Sequence, residues 1–412
     1  MRLLFALGFL TVVLQRIGLP IGDRVLPLPP LIIGVAFAFL LVRGGARLVP
    51  VRVVGFALFL ALAGLGAVMS GGGQTSFLQV AIIWAPIVFS LEAGGPRRFL
   101  GGVVAATLLG AALGLMQSGL TMVGGPLIDP IGTMPERLLV PGFNSTYEVV
   151  YGSGWMKANG MFFLEPSLLS LFGGLAALAI LARAVDLPRW LKPGLGVLLA
   201  FLGVLSAVAV STLVLAPAYL VWIVRNFRRA LPWLVGVAAV LPLFLMLPQA
   251  DVFLARAQDT ETSSNDARLV RPYTEFVPIV VDAAPWMGFG PGAARIAAVN
   301  RYDGWQTEVT TPTAVKVLFE YGLVGLALLG AAVVSLWNGS RVPIELRLGV
   351  VIALIIPTDG LASGIIAPFA LLVLAKEHGG DKTQVEAADA AAEGEAPQVE
   401  AARPSVLIGA RS

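Results

Sequence analysis

The chain has 412 residues, of which 57% are hydrophobic and only 13% charged, whereas a soluble domain carries about 25% charged residues. So little polar surface excludes a water-soluble body of this size, and repeated apolar runs near the ~20 residues of a membrane helix point to an all-α polytopic membrane protein. There is no cysteine, and the single histidine is His378, so disulfides, thiolate metal sites, histidine metal centres and a Ser-His-Asp triad are excluded from the apolar part, while the formal charge of +3 carries no nucleic-acid signal.

About twelve spans are predicted in chain order: 3–19, 25–42, 52–69, 77–92, 99–117, 160–182, 192–206, 209–224, 231–248, 312–337, 346–358 and 361–376. The first follows Arg2 like a signal peptide, but no small-residue cleavage pattern comes after it, so it is read as a helix. The stretch 206–212 is either a tight hairpin or a break in one long helix. The last two spans divide at Thr358-Asp359-Gly360.

Arginines set the expected orientation. Arg43, Arg47 and Arg52 share one connection, and Arg97 and Arg98 another. Arg183, Arg189 and Lys192, then Arg225, Arg228 and Arg229, then Arg341 and Arg347 follow in alternate connections. Basic loops stay in the cytoplasm. Both termini are therefore expected there, in the inner (cytoplasmic) membrane of a bacterium, with the two long loops 118–159 and 249–311 facing outward. Residues 1–376 form the transmembrane domain. Residues 377–412 are Ala- and Glu-rich and are expected to be a disordered cytoplasmic tail.

Lys157-Ala158-Asn159-Gly160-Met161-Phe162-Phe163-Leu164-Glu165-Pro166-Ser167 ends the first outer loop where a helix begins. A cation, an amide and a carboxylate at the edge of hydrocarbon are costly and call for a task or a partner. The loop also holds Asp129, Glu136, Arg137 and Glu148 with Tyr147, Tyr151 and Trp155 interleaved. These aromatics read as an interfacial belt and also suit sugar stacking.

In the second outer loop, Ser263-Ser264-Asn265-Asp266 is a helix-start signal. Arg268 and Arg271 follow on one helical face, with Glu275 four residues beyond Arg271. Arginines at a helix start suit a bidentate diphosphate clamp; the alternative reading is that Arg271 pairs with Glu275 and Arg268 meets lipid head groups. Gly288-Phe289-Gly290-Pro291-Gly292 lacks the strand that a dinucleotide fingerprint needs. It reads as a turn before a short helix holding Arg295 and Arg301. Lys316 and Glu320, four apart near the start of span 312–337, can pair on one helix face, for structure or for chemistry. Asp359 is a weaker candidate of the same kind.

These elements resemble the O-antigen ligase and O-antigen polymerase superfamily. Lys157 to Ser167 is similar to its basic-x-x-Gly-x-Phe-x-Glu-Pro stretch. Arg268 stands where that family has an arginine early in the large outer loop. Ala284-Pro285-Trp286-Met287-Gly288-Phe289-Gly290 resembles its Pro-x-x-Gly-x-Gly element, and Glu320-Tyr321-Gly322-Leu323-Val324-Gly325 its Glu-x-Gly-x-x-Gly span. The resemblance covers roughly residues 1–376. It implies a metal-independent, cofactor-free inverting glycosyltransferase that takes a polyprenyl-diphosphate-linked oligosaccharide to an acceptor glycan at the outer face. Membrane lipids and other polysaccharide-export proteins are the further partners it implies.

By that resemblance Arg268 and Arg271 hold the diphosphate, Lys157 assists them in catalysis or orients the sugar, and Asn159, Lys316, Arg295 and Arg301 lie around the substrate. Glu165 is the first candidate base and Glu320 the second. Glu165 equally reads as a helix-start carboxylate paired with Lys157. Two departures stand out. Val309-Thr310-Thr311-Pro312-Thr313 has no histidine where ligases carry one, and Lys157 replaces the usual arginine. Both favour a polysaccharide polymerase over a ligase; a transporter or flippase is the reading from another class.

Overall fold

A computed structural model describes residues 2–21, 24–71, 73–140, 148, 156–185, 192, 194–196, 198–199, 214–246, 270–294, 311–359, 361 and 364–379. It is mostly helical. Helix α1 is Arg2–Val13, and a hairpin of β1 (Gly18–Ile21) and β2 (Arg24–Pro27) leads into α2 (Leu28–Val42). Strand β3 (Ala46–Leu48), α3 (Pro50–Met69), α4 (Gln74–Trp84), β4 (Phe89–Glu92) and α5 (Gly95–Met122) follow. Beyond the first long loop come α6 (Pro166–Leu181), α7 (Ala216–Arg225) and α8 (Phe227–Leu245). Last are α9 (Val277–Ala283), α10 (Thr313–Gly339), α11 (Ile344–Ile355), α12 (Ile366–Val373) and β5 (Lys376–His378).

Three of these, α3, α5 and α10, are long and apolar enough to cross a membrane. Others, including α1, α2, α6 and α7, are apolar but shorter. Along α3, Val51 is 80% exposed and Val68 79%. Side chains of this kind on an outer face belong in hydrocarbon rather than water. By contrast α12 is buried at every position from Ile366 to Val373 and α6 from Leu168 to Ile180. A helix that is apolar all round is a central one. Helices α1 and α5 meet backbone to backbone: a Cβ on Gly8 would lie 2.1 Å from the Phe99 carbonyl oxygen. Small residues permit such close approach between membrane helices.

The apolar runs are not all whole spans. The run 3–19 is helical only to Val13. In the Leu14–Ile17 turn Gln15 Nε2 donates back to the Val12 carbonyl, Gln15 Oε1 accepts from the Leu164 N–H and Arg16 pairs with Asp129, and Gly18 opens the hairpin instead. The run 77–92 leaves the α-helix at Ala85, where Pro86 lacks a backbone N–H, passes through one 3-10 turn and ends as β4. Span 192–206 falls mainly outside the described residues.

Strands β3, β4 and β5 form one sheet. Ala46 pairs antiparallel with Leu91, and Ser90 pairs parallel with Lys376. Glu377 and His378, expected in a disordered tail, are therefore strand residues. They are ordered because β4 offers them backbone partners and His378 Nδ1 lies 3.1 Å from Ser90 Oγ. Residues 380–412 lie outside the described residues. The sheet ties together the α2–α3 connection, the α4–α5 connection and the exit of α12, so these lie at one end of the bundle.

Candidate functional site

Both elements singled out in the sequence sit at the other end. Helix α3 leaves the sheet at Pro50 and reaches that end at Met69; α5 leaves it at Gly95 and ends at Met122. Helix α10 runs the opposite way to α3. Arg52, at the start of α3, bonds Ser335 Oγ through Nε at 3.1 Å and the Ser335 carbonyl through Nη2 at 2.9 Å, near the end of α10. The first turns of α10 therefore stand beside the end of α3.

Helix α10 is broken. Gly322 has φ +64° and ψ −162° between two helical pieces, a conformation that is essentially glycine's alone. A helix end leaves backbone groups unsatisfied, and here the loop Pro285–Gly290 satisfies them. Phe289 and Gly290 donate N–H to the Phe319 and Glu320 carbonyls, each at 2.9 Å. Leu323 and Val324 donate to the Pro285 and Trp286 carbonyls at 2.8 and 3.2 Å. The loop's other side rests on α3 and the start of α4: a Cβ on Gly290 would come 2.9 Å from the Gly66 carbonyl oxygen, and Gly73 abuts the Pro291 carbonyl. Two motifs far apart in sequence are thus one structural unit. The turn carrying Arg271 and Glu275 joins it through Phe276, whose ring packs 5.2 Å from that of Phe319.

The charges in this unit differ from the expected pairing. Lys316 Nζ donates to Asp359 Oδ2 at 2.7 Å, so its hydrogen-bonding partner is the carboxylate beyond α11 rather than Glu320 one turn on. Asp359 is brought close because Thr313, at the start of α10, donates its N–H at 2.9 Å and its Oγ1 at 2.7 Å to the Thr358 carbonyl. Glu320 is 1% exposed and neither carboxylate oxygen has a hydrogen-bond partner among the described residues. The Gly292 and Ala294 N–H groups face it without closing a hydrogen bond, and Lys316 and Asp359 lie within electrostatic reach. The neighbouring Tyr321 hydroxyl is likewise buried; it closes no geometric hydrogen bond among the described residues and faces Glu320 within electrostatic reach. An unmatched buried polar group costs about 1–3 kcal/mol, so two adjacent ones mark a place that is not built for stability alone.

The Lys157–Ser167 element has a different construction. The expected helix from residue 160 begins only at Pro166, a residue suited to the first helical position. Glu165 therefore precedes the helix instead of riding on it, and Ser167 Oγ donates to its Oε2 at 2.6 Å. Gly160 and Met161 both have positive φ, at +63° and +68°. This turn fits against α5 because a Cβ on Gly160 would lie 2.3 Å from the Gly110 carbonyl oxygen. Asn159 is 1% exposed. It is held by Gln117, and Arg16 pairs with both oxygens of Asp129 at 2.6 and 2.9 Å while also contacting the Met161 carbonyl.

Sequence reading missed Gln15, Arg16 and Gln117. The available signal was a strongly polar side chain inside an apolar run, as Gln117 is in α5. Arg268, Arg295 and Arg301 fall outside the described residues. Among the described residues, no three His, Cys, Asp or Glu side chains gather as a metal site. A scan against protein-family models found no match, and neither did a search of curated proteins.

Proposed function

We propose that the protein is a polymerase of envelope or extracellular polysaccharide. It transfers a polyprenyl-diphosphate-linked glycan to an acceptor sugar hydroxyl at the outer face of the bacterial inner membrane. The observation that carries this reading is placement. The Lys157–Ser167 element and the Pro285–Gly292/Glu320–Gly325 unit lie at one end of the bundle, opposite the sheet whose connections hold Arg43, Arg47, Arg97 and Arg98. Cytoplasmic placement of those arginines puts the candidate site on the outer side, with both termini inside and about twelve spans in all.

In this reading the acceptor oxygen attacks the anomeric carbon, and the bond from that carbon to the diphosphate oxygen breaks with inversion. Arg268 and Arg271 hold the departing diphosphate, and the acceptor's proton passes to a carboxylate. Glu320 suits that role better than Glu165. A base needs a lone pair within reach of the hydroxyl; no described residue closes a geometric hydrogen bond to either Glu320 oxygen, whereas Glu165 accepts from Ser167 through Oε2. The same chemistry with a lipid or protein acceptor would make the enzyme an O-antigen ligase.

A polysaccharide transporter or flippase is the second reading, favoured by the break in α10. Discontinuous helices bearing buried charges are common in transporters. Against it, Glu320 lies only seven residues into α10, about 10 Å from its start at 1.5 Å per residue, rather than midway. Deleting the gene and analysing envelope glycan separates these readings. A polymerase leaves single repeats on the carrier, open to probes outside the membrane. A ligase leaves finished polymer stranded on the carrier, and a flippase leaves single repeats closed off on the inside. Normal long-chain glycan in the deletion strain overturns all three.

A further inference from the structure

Two carboxamides at the end of α5 are locked in one orientation. Gln117 Oε1 accepts from the Gly160 N–H at 2.9 Å, and its Nε2 donates to the Ile128 carbonyl at 2.8 Å. Asn159 Oδ1 accepts from the Met161 N–H at 3.0 Å and from Gln117 Nε2 at 3.3 Å. A backbone N–H only donates and a carbonyl only accepts, so neither amide can flip without losing bonds. Arg16 and Asp129 fix the same turn through the Met161 carbonyl. One group is left over: Asn159 Nδ2 is buried and has no hydrogen-bond partner among the described residues. Buried donors are nearly always paired. The Arg16 cation beside it is matched by Asp129, so this neutral donor suits a neutral oxygen acceptor; a diphosphate calls for cations instead.

We propose that Asn159 Nδ2 donates a hydrogen bond to a sugar oxygen, hydroxyl or acetamido carbonyl, of the lipid-linked glycan. Gln117, Arg16 and Asp129 are positioning residues that hold the turn. This inference rests on the polysaccharide reading above and adds which part of the donor this element recognises.

The test measures binding to the purified full-length protein in lipid nanodiscs. One ligand is the lipid-linked repeat extracted from the deletion strain, and the other is the sugar-free polyprenyl diphosphate. Asn159→Asp keeps Oδ1 and replaces the donor with an acceptor. It should weaken binding of the lipid-linked repeat at least tenfold and leave the sugar-free carrier unchanged. Unchanged binding of both ligands, or equal loss of both, overturns the proposal. Deuterium exchange on the wild-type protein decides the matter without any variant. The lipid-linked repeat must slow exchange at Gly160 and Met161 more than the sugar-free carrier does; equal exchange overturns the proposal. Wild-type protein that binds neither lipid overturns the polysaccharide reading together with this inference, an outcome distinct from glycan binding that ignores Asn159.

Discussion

Glu320 and Lys316 are neighbours on one helix, yet their surroundings assign them different work. Lys316 is committed to Asp359, with the two side chains 11% and 16% exposed. Removing one member of such a pair strands the other's charge, at a cost of about 3–5 kcal/mol when burial is complete. Lys316→Ala should therefore lower stability by roughly 3 kcal/mol, read as thermal melting in detergent. The double variant Lys316→Met with Asp359→Leu should recover most of that loss, because it removes both charges and keeps volume. Glu320 closes no geometric hydrogen bond of that kind among the described residues. Glu320→Gln preserves shape, so it should leave carrier-lipid binding intact and cut turnover per molecule by about a hundredfold, the lower range for loss of a general base. Glu165→Gln should act mainly on protein abundance, since its carboxylate already belongs to Ser167. Turnover and membrane levels measured on the same preparations check both statements. The charges themselves were legible in the sequence, since ionisable residues inside apolar runs stand out. The partners were not. Asp129 lies 113 residues from Arg16 and Asp359 43 from Lys316, and no local spacing rule reaches across the fold.

At the scale of elements, legibility follows the presence of breakers. The expected spans 52–69, 99–117 and 312–337 correspond to Pro50–Met69, Gly95–Met122 and Thr313–Gly339. Each is a long apolar run entered through proline or glycine. The break inside the third was hidden, because Gly322 is one of several glycines in that run and only the docking of Pro285–Gly290 shows which one bends. Gly322→Ala is accordingly a sharp test. An added Cβ would lie 2.3 Å from the Trp286 carbonyl, in a conformation that costs a side chain about 1–3 kcal/mol before any clash. The variant should melt well below the wild type and lose turnover. Gly34→Ala is the control: nothing lies within 4 Å of its added Cβ, and in mid-helix it should be neutral or stabilising by about 0.5–1 kcal/mol. A Gly322→Ala variant that melts and turns over like Gly34→Ala would mean that the docking of Pro285–Gly290 at Gly322 is dispensable.

For the whole molecule, the three-stranded sheet joins residues 46–48, 89–92 and 376–378 and gives the bundle a defined end. Truncation after Gly379 should leave accumulation and melting unchanged, since every strand residue is kept. Truncation after Ala375 removes β5 and the His378 contact and should cost about 1–2 kcal/mol, a few backbone hydrogen bonds at roughly 0.5–1.5 kcal/mol each. Melting curves of the two truncations, side by side, check this.

The parallel pairing of β4 with β5 also fixes an order of events during biosynthesis. Strand β4 (Phe89–Glu92) is made long before its partner β5 (Lys376–His378) leaves the ribosome. Until then one edge of β4 is open, and an open edge is a template for other chains. Between the synthesis of the two strands, the nascent protein therefore carries this edge exposed on the ribosome's side of the membrane, in the orientation proposed above. A stalled or truncated chain that never reaches His378 would keep that edge permanently, which makes incomplete products the ones prone to capture by chaperones, proteases or each other.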